Sequence, residues 1–74
     1  MINLMNKEDY NKSGIYIITN KINNKFYIGS ATNFRKRYNV HNSNFKKNKN
    51  SKYLQRAYNK YGEENFEFQI IDYI

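Results

Sequence analysis

Two short apolar runs on either side of an asparagine pair constrain this chain more than any other feature. Gly14-Ile15-Tyr16-Ile17-Ile18-Thr19 and Lys25-Phe26-Tyr27-Ile28-Gly29-Ser30 are rich in the β-branched and aromatic residues that favour strands. Asn23-Asn24 between them is a turn signal, because asparagine tolerates left-handed backbone angles. A β-hairpin is the expected outcome. With the turn centred between Asn23 and Asn24, Thr19 lies opposite Ile28 and Asn20 opposite Tyr27. Side chains alternate along a strand and directly paired residues share a face. Tyr16 and Tyr27 then fall on one face, with Gly29 leaving space between them. Ile15, Ile17, Phe26 and Ile28 fall on the other, which is the expected core face. A one-residue slip would undo this assignment.

At 74 residues the chain has room for one small domain, of a size that buries only about 60% of its unfolded surface. It contains no cysteine, which excludes a disulfide framework and a thiolate zinc site. Eight Tyr and five Phe must therefore supply most of the core. No apolar run approaches the roughly 18 residues of a membrane span, and Lys7, Glu8 and Asp9 interrupt any signal-peptide core. A soluble, intracellular protein, cytoplasmic for example, is expected.

The formal charge is +7, and its distribution is more informative than its sum. No Asp or Glu occurs between Tyr10 and Gly62, while Arg35, Lys36, Arg37, Lys46, Lys47, Lys49, Lys52, Arg56 and Lys60 all lie in that interval. An AT-rich coding bias accounts for the abundance of Lys and Asn but not for the missing acids. An uncompensated basic stretch is the electrostatic footprint of a polyanion, and nucleic acid is the natural partner.

Residues 1–12 are polar apart from Met1, Ile2, Leu4, Met5 and Tyr10 and are read as an N-terminal arm or a poorly ordered lead-in. After the hairpin, Thr32 or Asn33 is a credible helix N-cap, and Phe34, Tyr38, His41 and Phe45 recur at helical spacing. Arg37 and His41 are four apart and so are neighbours on that helix. Residues 46–52 read as a basic loop. Ser51 caps a second helix whose apolar face is Tyr53, Leu54, Ala57, Tyr58 and Tyr61, and Gly62 stops it. Phe66, Phe68 and Ile70 alternate with Glu67, Gln69 and Ile71 as a third strand. The expected architecture is a small α/β (α+β) domain with a three-stranded antiparallel sheet, in the order β-β-α-α-β.

Tyr16, Tyr27, Arg37 and His41 converge above the sheet in this arrangement. Phosphodiester hydrolysis calls for a base, a cation for charge on the phosphate, and usually a metal held by carboxylate. A guanidinium matches phosphate bidentately, and an imidazole moves protons near neutrality. Tyrosine is an awkward base, since lowering its pKa from about 10 to 7 is worth roughly 4 kcal/mol. Taken singly, each residue has a plainer role: a structural histidine, a solvated arginine, two amphipathic core tyrosines.

The combination, however, resembles the GIY-YIG nuclease family. The resemblance rests on Gly14-Ile15-Tyr16 and Tyr27-Ile28-Gly29, then Ser30-Ala31, Phe34, Arg37 and His41. It continues through Leu54-Gln55-Arg56, Asn59-Lys60, Gly62 and Asn65-Phe66. It is similar above all to the N-terminal catalytic domains of phage and intron-encoded homing endonucleases, and it spans Ser13 to Ile74. The resemblance implies a DNA endonuclease working with a divalent metal such as Mg2+. Under it, Tyr16 activates water, Tyr27 positions water or phosphate, Arg37 stabilises the pentavalent phosphorus and His41 assists proton transfer. The two tyrosine roles are interchangeable at this level. Lys36, Lys46, Lys47, Lys49, Lys52, Arg56 and Lys60 are the expected DNA contacts, with double-stranded DNA favoured and oligomeric state unspecified.

Two departures from the family pattern stand out. Where homing members can carry a second histidine after the first helix, this chain has Lys49, Asn50 and Ser51. The family's metal-binding Glu lies on a helix after the third strand, beyond Ile74, so the domain over residues 13–74 is expected to be cut short at its C-terminus. Glu63, Glu64, Glu67 and Asp72 are the nearest acids, and none is assigned as a ligand. The competing expectation is a non-catalytic nucleic-acid-binding module. A structured RNA is a third possible partner.

Overall fold

The asparagine turn closes a hairpin, two residues out of the expected register. In the computed structural model, which describes Met1–Ile74, β2 (Gly14–Asn20) and β3 (Phe26–Ala31) pair Tyr16 with Gly29, Ile18 with Tyr27 and Thr19 with Phe26. Asn24 takes the left-handed conformation at φ 61°, and its N–H donates back to the Asn20 carbonyl at 2.8 Å. The connection between the strands is therefore Lys21–Lys25, longer than the tight turn expected. A slip of two residues preserves the alternation, so Tyr16 and Tyr27 still share a face.

That shared face is the core face, which corrects the assignment made from the hairpin alone. Tyr16 and Ile18 are 2% and 1% exposed, whereas Phe26 and Ile28 are 58% and 51% exposed. The reason lies in β4 (Phe66–Tyr73), which pairs antiparallel with β2 and sets Phe68 beside Ile18 and Ile70 beside Tyr16. Its large aromatics fall on the tyrosine side, its Glu67 and Gln69 on the other, and the helices cover only the aromatic side.

The sheet has four strands rather than three, in the order β1-β4-β2-β3. β1 (Ile2–Asn3) lies parallel to β4, so residues 1–12 are built into the fold instead of forming a loose arm. Their carbonyls also serve the first helix: Phe34 N–H donates to Lys12 O at 3.1 Å and Arg35 N–H to Tyr10 O at 3.0 Å. These are donors that a helix N-terminus otherwise leaves without partners. Asp9 joins the two ends of the chain, paired with Lys12 Nζ at 2.8 Å and accepting from Tyr73 Oη at 2.9 Å.

α1 (Phe34–Lys46) is capped by Asn33, whose side chain accepts from Lys36 N–H, and α2 (Lys52–Tyr61) by Ser51, which accepts from Leu54 N–H. Gly62 ends α2 at φ 89°, a conformation costly for any residue with a Cβ. The core is an aromatic layer between these helices and the sheet. Phe34 and Phe68 are fully buried, Phe68 stacks on Tyr16 with centroids 4.7 Å apart, and Phe45 stacks on Tyr58 at 4.0 Å. On α2 the expected face is rotated: Tyr53 is 57% exposed and Gln55 is buried in its stead.

Candidate active site

Tyr16 sits mid-strand on β2, pointing up under α1. Its phenol lies across Gly29, the residue paired with it on β3, where any Cβ would overlap the hydroxyl and the ring. A glycine there is thus a requirement of close approach, and it leaves the tyrosine one place to go. In that place Tyr16 Oη meets His41 Nε2 at 2.7 Å.

Which partner donates follows from the far side of the ring. His41 Nδ1 is 3.0 Å from Asn50 Oδ1, while Asn50 Nδ2 donates to the His41 carbonyl at 3.2 Å. Turning the amide over would set its oxygen against that carbonyl oxygen, so the oxygen must face the ring. Nδ1 therefore carries the hydrogen, Nε2 presents a lone pair, and the Tyr16 hydroxyl donates to it.

Asn50 is held in turn by α2. Gln55 accepts from the Asn50 N–H at 3.4 Å and donates through Nε2 to the Phe45 carbonyl at 3.1 Å and to Asn59 Oδ1 at 3.1 Å. Gln55 thus caps the end of α1 and fixes the loop that carries Asn50. The line Gln55, Asn50, His41, Tyr16 runs from one helix through a loop to the other helix and into the sheet. Gln55 and Asn50 were not singled out for any role from sequence. The available signal was a polar residue at an otherwise buried helical position and an amide where a second imidazole was looked for.

Burial sets the protonation. It pushes the Tyr16 hydroxyl up to about 12, reinforced by neighbouring Tyr27, with Arg37 opposing. Burial likewise holds His41 below its ordinary 6.5; the Arg37 charge acts the same way and the Asn50 acceptor opposes it. His41 is therefore neutral at pH 7 and able to accept.

Tyr27 and Arg37 complete the group. The Tyr27 ring lies 6.5 Å from Tyr16 and 5.9 Å from His41, half-buried. Arg37, one helical turn before His41, is exposed; its charge acts on both Tyr16 and His41, but the cleft of about 310 Å³ that it lines with Gly14, Ser30, Thr32 and Ile74 is lined by none of Tyr16, Tyr27 and His41. All four residues expected at the centre are on one side of the sheet.

A family profile for the GIY-YIG catalytic domain matches residues 12–74. The chain belongs to this family. It is 47% identical over 64 residues to intron-associated endonuclease 1 of Enterobacteria phage T4, a match covering 85% of this chain and 26% of that protein. It is also 47% identical over 62 residues to a probable intron-encoded endonuclease 1 of Neurospora crassa, covering 84% of this chain and 19% of that one. Among solved structures, the catalytic domain of the homing endonuclease I-TevI superposes with a TM-score of 0.79 at 45% identity, covering 85% of this chain and 68% of that one. A mutant of the same domain gives 0.79 at 47% identity, covering 85% and 65%. The chain spans about a quarter or less of the curated relatives it matches.

The GIY-YIG residues present do not by themselves fit a divalent cation. No three His, Cys, Asp or Glu side chains stand together. The groups gathered around Tyr16 are a second phenol, an imidazole, a guanidinium and amides, whereas Mg2+ takes oxygen ligands built around one or two carboxylates. Two of the six acids are engaged elsewhere, Asp9 with Lys12 and Tyr73 and Glu63 with the Tyr58 hydroxyl.

The basic residues expected to meet DNA are all exposed, but they form two groups. Lys46, Lys47, Lys49 and Lys52 surround the α1–α2 loop, and Arg56 and Lys60 continue along α2. Lys36 stands apart near the start of α1. The one ion pair in the molecule is Lys12 with Asp9, so none of these cations is neutralised within the chain. No helix is long and apolar enough to cross a membrane.

Proposed function

We propose that the chain is the catalytic domain of a DNA endonuclease that hydrolyses phosphodiester bonds in double-stranded DNA. The observation that carries this reading is the 2.7 Å hydrogen bond from Tyr16 to a neutral His41. It also favours Tyr16 over Tyr27 as the base. A hydroxyl with a pKa of about 12 would cost about 7 kcal/mol to ionise at pH 7, too much for a free phenolate. A relay avoids that species. As the water oxygen bonds to phosphorus, the P–O bond to the sugar breaks with its electron pair going to the sugar oxygen, which takes up a proton from solvent, while the water proton passes to Tyr16 Oη and the Tyr16 proton passes to His41 Nε2. Arg37, facing the open cleft, balances charge on the phosphate oxygens. Tyr27, whose ring lies 6.5 Å from that of Tyr16, would orient water or phosphate beside it.

The family resemblance brings with it a divalent ion, Mg2+ by expectation, whose carboxylate would have to come from outside the residues described. No step above depends on it. Lys46, Lys47, Lys49, Lys52, Arg56, Lys60 and, more distantly, Lys36 would track the DNA backbone, giving affinity that falls steeply with salt and carries little sequence information.

The test is relaxation of supercoiled plasmid with added Mg2+, comparing the protein with Tyr16→Phe and His41→Ala. Nicking that falls by about 100-fold or more in both variants supports the reading; equal nicking by all three overturns it. The missing acid cluster favours a second reading, a non-catalytic DNA-binding module. Its signature is duplex binding without nicking that Tyr16→Phe leaves unchanged.

A further inference from the structure

A second cavity opens beside Tyr27, between the hairpin loop and α2, and His41 is not part of its lining. Its volume is about 360 Å³, within the range of small-molecule sites. Ile18, Leu54 and Phe66, all buried, belong to its lining, and Tyr27, Tyr61 and the exposed Tyr53 supply aromatic surface. Lys25, Arg56 and Lys60 also line it, and no acid does. Such a place suits something flat and apolar attached to something anionic.

One further residue narrows the occupant. Asn20 lines the same cavity and is 2% exposed; its Oδ1 accepts from the Ile22 N–H at 3.0 Å, but its Nδ2 has no acceptor at all. It is the single buried side-chain polar atom in the protein without a partner. Buried donors are paired in nearly every folded protein, and an orphan donor in a residue that lines a cavity is accounted for if the amide turns to meet an acceptor delivered by a ligand there. A nucleobase carries ring-edge acceptors, offers two faces for aromatic stacking, and is tied to a phosphate.

We propose that this cavity is a nucleobase subsite, taking one unstacked base of the DNA strand while Lys25, Arg56 and Lys60 hold the adjoining phosphates. The proposal rests on the DNA reading above and extends it. Because Tyr27 lines both the cavity and the reaction centre, a base seated here fixes the neighbouring phosphate relative to Tyr16. Unstacking is easiest where the base is already unpaired, so DNA with a local defect is the favoured ligand.

The probes are thymidine 5′-monophosphate, inorganic phosphate, and two duplexes differing by one unpaired thymine. In an amide-resolved NMR titration, the nucleotide should move the Asn20 side-chain amide together with the backbone signals of Ala57 and Tyr61; phosphate at equal ionic strength should leave the Asn20 amide in place. The bulged duplex should bind at least about 5-fold more tightly than the paired one, and Ala57→Phe, which fills the cavity, should abolish the difference. Asn20→Leu serves the same purpose if Ala57→Phe does not fold. An Asn20 amide unmoved by nucleotide, or a bulge preference that is absent or survives filling, overturns the proposal. So does movement of these signals with protein concentration alone, which would assign the cavity to a second copy. Paired DNA that is bound and nicked without bulge preference defeats the subsite alone; failure to bind or nick any DNA defeats the endonuclease reading, with the nucleotide titration still deciding the cavity.

Discussion

The two sides of the Tyr16–Tyr27 pair are built on opposite principles. On the His41 side the polar groups close on one another: imidazole to amide, amide to carbonyl, glutamine to loop and helix end. On the Asn20 side a buried amide nitrogen has no acceptor, in a residue that lines a cavity. A closed network holds a proton acceptor in one tautomer and one place. An open one is poised to receive. The same residue type, a buried carboxamide, serves rigidity in Asn50 and Gln55 and reception in Asn20.

The largest effect should come from Gly29→Ala, which breaks the closed side at its base. The new methyl overlaps the Tyr16 hydroxyl and ring, so Tyr16 must leave His41. Nicking should fall as far as for Tyr16→Phe, about 100-fold or more, and a structure of the variant should show the 2.7 Å bond gone. Next comes Asn50→Leu. Without an acceptor at Nδ1, His41 is released to the other tautomer, in which Nε2 carries the hydrogen and cannot accept from Tyr16. A loss of about 10- to 100-fold in nicking, with Tyr16 and the fold intact, is expected.

Stability measurements sharpen the same contrast. Gln55→Leu strands the Asn50 N–H and removes one of the donors to the Phe45 carbonyl, which keeps the Asn48 N–H, and should cost about 1–2 kcal/mol in urea denaturation. Asn20→Leu makes the same chemical change but removes an orphan donor while losing one bond to Ile22 N–H, so its cost should stay below about 1 kcal/mol. Equal costs for the two would mean that the Asn20 amide is satisfied in solution.

The hairpin, both helices, the Ser51 cap and the Gly62 stop were legible in sequence because each rests on local chemistry, while the first cap stayed open between Thr32 and Asn33 until the structure set it at Asn33. The core face was not legible, because both faces of the hairpin are apolar and its two strands hold no information about which one the helices cover. The tie is broken by β4, whose Phe66 and Phe68 alternate with Glu67 and Gln69, once its pairing with β2 is known. Strand β1 was missed for a related reason: two residues, Ile2 and Asn3, carry no periodicity, and their place is set by Phe68 and Glu67 at the far end of the chain. At the candidate site, strand alternation and helix spacing placed Tyr16, Tyr27, Arg37 and His41 on one side of the sheet, and the resemblance supplied their expected roles. Asn50 and Gln55 were not found, since an amide announces its partner only when the partner is in view.

The smallest effect is one of pH, and it tests the closed side at its centre. Burial lowers the His41 pKa below 6.5, so in the acid range the folded protein binds fewer protons than the unfolded chain. The stability this contributes is fully present above 6.5 and is lost as the pH falls through the folded value. Nicking should follow the same limb, flat from neutrality down to 6.5 and declining only beneath it, because a protonated ring cannot accept from Tyr16. Asn50→Leu removes the acceptor that supports the charged ring and should move the limb lower still. The chain has one histidine, so its ring proton signal reports this titration without ambiguity. A midpoint above 6.5 would mean that the ring is held charged, and the relay from Tyr16 would then have no acceptor.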